Sequence, residues 1–136
     1  MATDARLIRA FQLVAGLIAL LILVQATLAG QFTYNDEPGL RDAHRGFGYL
    51  LFMLAGIQLA IAWLTRDSWR YRMVIWSALV LLLVVAQIGL GDLGDENKDY
   101  SAIHIPVGVF LFALSSIIAM LSAIDDRAKT VLRGNA

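Results

Sequence analysis

The sequence predicts an all-α membrane protein, an antiparallel up-and-down bundle of four transmembrane helices built from two similar helical hairpins. Composition is the first reason: 59% of the 136 residues are hydrophobic and 16% are charged, which is too apolar for a soluble domain. Patterning is the second. The charged residues cluster, and between the clusters lie four apolar stretches long enough to cross a hydrocarbon core of about 30 Å.

Each apolar stretch predicts one helix, and the short connections make neighbouring helices antiparallel. The whole chain, 1–136, is expected to form one transmembrane domain. The expected helices cover about 6–30, 43–64, 69–90 and 102–124.

Local signals support three of the helix starts. Asp42, Ser68 and Ser101 are of residue types that cap helices, and they stand where the second, third and fourth helices are expected to begin. Pro106 falls near the first turn of the fourth helix, where proline is tolerated better than in a helix interior.

Lysine and arginine are distributed unevenly over the two sides of the bundle. The first and third loops carry only Arg41, Arg45 and Lys98. The amino end, the second loop and the tail carry the others: Arg6, Arg9, Arg66, Arg70, Arg72, Arg127, Lys129 and Arg133. By the positive-inside rule both termini are expected in the cytoplasm, and a prokaryotic plasma membrane is the expected location. The tryptophans lie near the second loop, as in an aromatic belt at the inner interface: Trp63, Trp69 and Trp76.

The chain contains a weak internal repeat. "VQATLAG" ends the first helix and "AQIGLGD" ends the third; each is followed by a loop and then by a helix that opens with histidine and has glycine four residues later. The equivalent residues are Gln25 and Gln87, His44 and His104, and Gly48 and Gly108. Two such hairpins indicate pseudo-two-fold symmetry about an axis along the membrane normal.

This repeat places the only two histidines on equivalent helices and on the same, outer side of the membrane. If the second and fourth helices face each other, the imidazoles converge and could hold one haem b between them. Gly48 and Gly108, one turn further, would let a flat macrocycle approach the backbone.

Neighbouring polar residues have candidate roles at such a site. Asp42, Gln25 or Gln87 could accept the second ring N–H of a histidine and so fix the ring. Arg41, Arg45 and Lys98 are the candidates for binding haem propionates. The alternatives are that the glutamines form interhelical hydrogen bonds, that the glycines allow close helix packing, and that each histidine is an interfacial polar residue.

These elements resemble one half of the heme A synthase family, an eight-helix membrane enzyme that oxidises a haem methyl group. In that family two four-helix bundles stand in tandem, and the second and fourth helices of each carry a histidine near the outer face. Here "QATLAG" precedes His44 and "QIGLGD" precedes His104, and the resemblance covers about 13–121. Small single-bundle membrane proteins of unknown function share this arrangement.

The departures from the family limit what the resemblance implies. This chain has one bundle, lacks the cysteine pair of many members, and has Asp42 and Arg41 near the position of the family's catalytic glutamate. The resemblance therefore implies the bundle and the haem site rather than the oxidation. A homodimer would recreate the eight-helix arrangement.

We expect a b-type cytochrome-like protein for electron transfer or haem handling, with one bis-histidine haem near the outer face. The alternative is a haem-free accessory subunit of a larger respiratory or photosynthetic membrane complex that binds lipid, quinone or a chlorophyll-type pigment. An enzyme ranks last, because no nucleophile–base set or carboxylate pair stands out in the spans. The absence of cysteine excludes thiolate metal sites, and no basic cluster suggests nucleic acid.

Overall fold

The computed structural model describes residues 2–35, 37–69, 71–94 and 97–134, with side-chain surroundings for 5–35, 37–67, 71–94 and 97–124. Its helices are α1 Ala2–Asn35, α2 Pro38–Leu64, the short α3 Arg66–Trp69, α4 Arg72–Gly94 and α5 Lys98–Gly134. The four long helices each contain a stretch long and apolar enough to cross a membrane. The predicted all-α bundle of four membrane-spanning helices is confirmed.

The long helices pack as a four-sided bundle. Within each hairpin α1 packs on α2 and α4 packs on α5, and between the hairpins α1 packs on α5 and α2 packs on α4. The helices that carry the histidines, α2 and α5, therefore stand at diagonally opposite corners. Side chains on their inward faces point toward each other across the bundle axis.

Small residues let the four helices approach closely at one level of the core. Each long helix contributes one of these residues, and each of them is at most 1% exposed: Ala15, Ala55, Ser77 and Ser115. Ala55 and Ser115 both lie eleven residues after a histidine, and Ala15 and Ser77 both lie ten residues before a repeat glutamine. The internal repeat thus extends from the outer end of the bundle into its centre.

Large apolar side chains cover the outside of the bundle, as a lipid environment requires. Leu13, Tyr49 and Val109, for example, are each more than half exposed. Inside, the amide of Gln58 and the hydroxyls of Ser77 and Ser115 are buried without a hydrogen-bond partner among the described residues.

The second helix begins earlier than the sequence predicted. Pro38 occupies its first position, where the fixed φ of proline suits a helix and the missing N–H costs nothing. Asp42 therefore lies inside α2, and the prediction that it caps the helix is wrong. The residue before the helix, Glu37, makes no side-chain capping bond either.

The fourth long helix also begins earlier, because a different residue caps it. Asn97 Oδ1 accepts the main-chain N–H of Asp99 at 3.0 Å, as N-cap side chains do. Ser101 lies within α5, and its hydroxyl instead donates to the Gly94 carbonyl at 3.3 Å. Pro106 is consequently inside the helix rather than near its first turn.

The second loop contains a short helix, α3, that the sequence did not predict; only its last residue, Trp69, falls within the predicted third helix, 69–90. Ser68 lies within α3, and α4 begins at Arg72, so Ser68 does not cap α4; its side chain lies outside the described part of the structure. Tyr71, between the two helices, has a left-handed φ of 55°, which breaks the helical path. Of the tryptophans near this loop, Trp63 and Trp76 are exposed, and the side chain of Trp69 lies outside the described part.

Candidate functional site

The two histidines meet at one end of the bundle. Each is the seventh residue of its helix, His44 in α2 and His104 in α5, and each is half-buried. Their ring centroids are 6.3 Å apart, with an angle of 54° between the ring planes. The sequence predicted this convergence from the repeat, and the diagonal placement of α2 and α5 produces it.

The separation of the two rings leaves room for a shared metal. A bond from a metal to an imidazole nitrogen is about 2.0 Å long, so one ion bound by a nitrogen of each ring fits between ring centroids that are 6.3 Å apart.

A main-chain contact fixes the ring of His44. Its Nδ1 lies 3.1 Å from the carbonyl oxygen of Gln25. Because a carbonyl oxygen only accepts hydrogen bonds, Nδ1 carries the proton, and Nε2 of the neutral ring keeps its lone pair. Metal-ligating histidines are commonly oriented in this way. The partner is thus the main chain of Gln25, not the side chain of Gln25 or the carboxylate of Asp42.

An aromatic contact that the sequence did not predict also holds His44. The ring of Phe32 meets the imidazole edge-on, with centroids 5.4 Å apart and an interplanar angle of 69°. The guanidinium of Arg41 lies 5.3 Å from the centre of the same Phe32 ring. Phe32 comes seven residues after Gln25, on the same face of α1, and this spacing is the signal that could have identified it.

The surroundings of His104 are different. Nε2 of Gln87 donates to the main-chain oxygen of His104 at 3.0 Å, so α4 holds the backbone rather than the ring. The Gln87 main chain lies beside the imidazole, but the buried Nδ1 has no hydrogen bond of ordinary geometry within the described residues. Gly91, four residues after Gln87, faces the ring: a Cβ at Gly91 would lie 3.5 Å from its Cε1 atom.

The two repeat glycines make room for the two repeat glutamines. A Cβ on Gly48 would lie 3.4 Å from Nε2 of Gln25, and a Cβ on Gly108 would lie 2.7 Å from Nε2 of Gln87. Each glycine therefore faces a glutamine amide from the preceding helix. The glycines were predicted to admit a flat macrocycle; in this structure a glutamine side chain approaches each of them.

The predicted propionate-binding cations lie at the same end of the bundle as the histidines. Arg41 is three residues before His44 and Arg45 is one residue after it, and both are exposed. Lys98 begins α5 and is exposed as well. An open pocket at the start of α2 is lined by Glu37, Pro38, Arg41 and Asp42.

The protein ligand set is small. No group of three or more His, Cys, Asp or Glu residues that could hold a metal ion occurs in the described part of the chain. Two imidazoles leave a bare metal ion short of the four or more ligands that protein sites usually supply. They suit a metal whose remaining ligands come from a macrocycle, as in haem.

Known proteins add no further constraint on the site. No family model matches the chain, and no curated protein and no solved structure matches it either. The resemblance to one half of heme A synthase is a hypothesis based on the repeat residues.

Proposed function

We propose that this chain is a haem-binding integral membrane protein, similar to a b-type cytochrome, in which His44 and His104 hold one haem b for electron transfer or haem handling. The observation that supports this most is the 6.3 Å separation of the imidazole rings across the bundle. Haem would supply an iron that accepts and releases one electron.

The neighbouring residues have distinct parts in this proposal. His44 and His104 would hold the haem iron, and the Gln25 carbonyl orients the ring of His44. Gln87 fixes the backbone that carries the second. Arg41 and Arg45 lie close enough in sequence to His44 to neutralise the propionates.

One bis-histidine site limits what the chain does alone. The chain has no histidine besides this pair, so no second bis-histidine haem relays electrons across the membrane. We therefore propose that it acts with a partner at the outer side, as a homodimer or as a subunit of a larger membrane complex. The resemblance to heme A synthase favours the homodimer, which would bring eight long helices together.

The proposed orientation places both termini in the cytoplasm and the histidines near the outer face. Its support is the excess of lysine and arginine at the amino end, the second loop and the tail. The chain has no native cysteine, so single cysteines test it directly. Tyr34, 90% exposed at the histidine end, and Asp67, exposed in the second loop, are suitable positions.

In intact cells, Tyr34→Cys is expected to react with a membrane-impermeant maleimide, whereas Asp67→Cys is expected to react only after permeabilisation. Labelling in permeabilised cells controls for the reactivity of each cysteine. The reverse pattern in intact cells would place the histidines on the cytoplasmic side and contradict the proposed orientation.

A visible spectrum of the detergent-purified protein tests the haem proposal. We expect a sharp α-band in the reduced-minus-oxidised spectrum and about one haem per chain by pyridine haemochrome assay, since two imidazoles bind one iron. The α-band should be lost in both His44→Ala and His104→Ala. Tyr49→Ala and Val109→Ala are matched controls that should keep it: each lies five residues after a histidine and is exposed.

A colourless protein that stays colourless after incubation with haem would contradict the proposal. The haem-free accessory subunit would then be the better hypothesis, with lipid or quinone as its ligand. A band from a chlorophyll-type pigment, lost in the same two histidine variants, would keep the site and change the cofactor.

A further inference from the structure

The two imidazoles are held unequally, and from this we propose that His104 is an exchangeable ligand that gives way to a small diatomic gas, whereas His44 is the permanent ligand. The inference rests on the proposed haem site. In the haem-loaded, reduced protein, the His104 nitrogen would leave the ferrous iron and a neutral molecule such as carbon monoxide would bind in its place. No electron is transferred in this exchange.

Two contacts restrain the ring of His44. The hydrogen bond from Nδ1 to the Gln25 carbonyl fixes the rotation of the imidazole, and the edge contact with Phe32 supports the ring. Arg41 packs on Phe32 in turn. Moving this imidazole away from a bound metal would break the hydrogen bond and disturb the aromatic contact.

The ring of His104 has a weaker main-chain contact and lacks the aromatic one. The Gln87 main chain lies beside its imidazole, but the buried Nδ1 makes no hydrogen bond of ordinary geometry within the described residues. The bond from Gln87 Nε2 holds the main chain of His104 rather than its ring. In the register that equates Gln25 with Gln87, the position of Phe32 corresponds to Gly94. No aromatic side chain therefore supports His104 from the position that Phe32 occupies in the other hairpin.

A second glycine leaves room beside the ring of His104. The position of Ala29 on α1 corresponds to Gly91 on α4. Gly91 faces the imidazole, and a Cβ there would contact Cε1 at 3.5 Å and Nδ1 at 3.7 Å. Without that Cβ, the ring has space to rotate while the hydrogen bond from Gln87 keeps the backbone in place. The missing Cβ is a small space, so the ligand that replaces the imidazole must itself be small.

Carbon monoxide added to the haem-loaded, dithionite-reduced protein tests the inference. In the wild type we expect the bis-histidine α-band to be replaced by the spectrum of a carbon monoxide complex. His104→Ala should retain haem and bind carbon monoxide at least about tenfold faster, because the competing imidazole is gone. His44→Ala should lose most of its haem during purification.

Gly91→Ala tests the proposed ring motion without removing a ligand. Its methyl group would lie in ordinary van der Waals contact with the His104 ring, so we expect unchanged haem content and slower carbon monoxide binding. Gly89→Ala is the matched control: it lies on the same helix with open space at its Cβ, and its binding rate should equal that of the wild type.

The outcomes separate this inference from the haem proposal. A protein that binds no haem contradicts both. A protein with a bis-histidine spectrum that carbon monoxide leaves unchanged contradicts the exchange alone. Haem retained by His44→Ala and lost by His104→Ala would reverse the roles of the two ligands. If both alanine variants misfold, two measurements still test whether His104 is exchangeable: carbon monoxide binding by the wild type, and the rate of carbon monoxide binding by Gly91→Ala.

Discussion

Replacement of Gly108 by valine is expected to destabilise the protein by about 1–3 kcal/mol, through overpacking and the loss of one buried hydrogen bond. A Cβ at this position would lie 2.7 Å from Nε2 of Gln87. That amide must then move, and in moving it gives up its bond to the His104 carbonyl. Thermal unfolding in detergent, followed by circular dichroism, measures the loss.

Two further variants identify the cause of the Gly108→Val effect. Gly89→Val lies on α4, where a Cβ has open space, so it should leave the unfolding temperature nearly unchanged. Gln87→Ala removes the side chain that the valine would displace. In that background Gly108→Val should cost much less, because residues in contact show non-additive effects. Equal costs with and without Gln87 would contradict the assignment.

The bundle and the meeting of the histidines could be predicted because both depend on regular spacing. Four apolar stretches of membrane-spanning length determine the helices, and the equivalence of His44 and His104 puts both rings at one level. Convergence then follows from the diagonal packing of α2 and α5, which two similar hairpins favour. None of these steps requires knowledge of an individual side-chain contact.

The helix starts were predicted less well, because the helices continue past the apolar stretches into polar sequence. Pro38 and Asn97 are the actual start signals. Asp42 and Ser101 are residue types with the same capping preference, but they stand at the edge of the apolar stretch rather than at the end of the helix. Hydropathy identifies the apolar part of a helix that can lie in the membrane. The helix itself extends several residues beyond that part into polar sequence.

The inequality of the two histidines could not be predicted from the repeat, since a repeat emphasises what two hairpins share. The difference lies in positions where the hairpins diverge: Phe32 against Gly94, and Ala29 against Gly91. How close those positions come to the rings depends on how α1 approaches α2 and how α4 approaches α5. That approach is a property of tertiary packing, which spacing along the chain does not specify.

Replacement of Phe11 by alanine is expected to lower stability by about 2 kcal/mol, since a cavity of about 100 Å³ costs about 24 cal/mol per Å³. Phe11 is 1% exposed and is among the largest fully buried side chains of the described residues. In lipid or detergent an exposed phenyl ring is also well solvated, so the cost comes from lost packing rather than from transfer to water. The unfolding temperature in detergent measures it, and Phe52→Ala, 44% exposed on α2, should change it little.

The same variant tests whether stability and the histidine site are separable. Phe11 precedes Gln25 by fourteen residues, which places it about 21 Å further along the helix, toward the opposite end of the bundle. If haem binds as proposed, Phe11→Ala should keep the wild-type α-band at temperatures where it stays folded, whereas Gly108→Val should alter the band by shifting the backbone of His104. Loss of the α-band in folded Phe11→Ala would show that the two ends of the bundle are coupled. The cofactor would then depend on packing throughout the core rather than on the contacts around the two imidazoles.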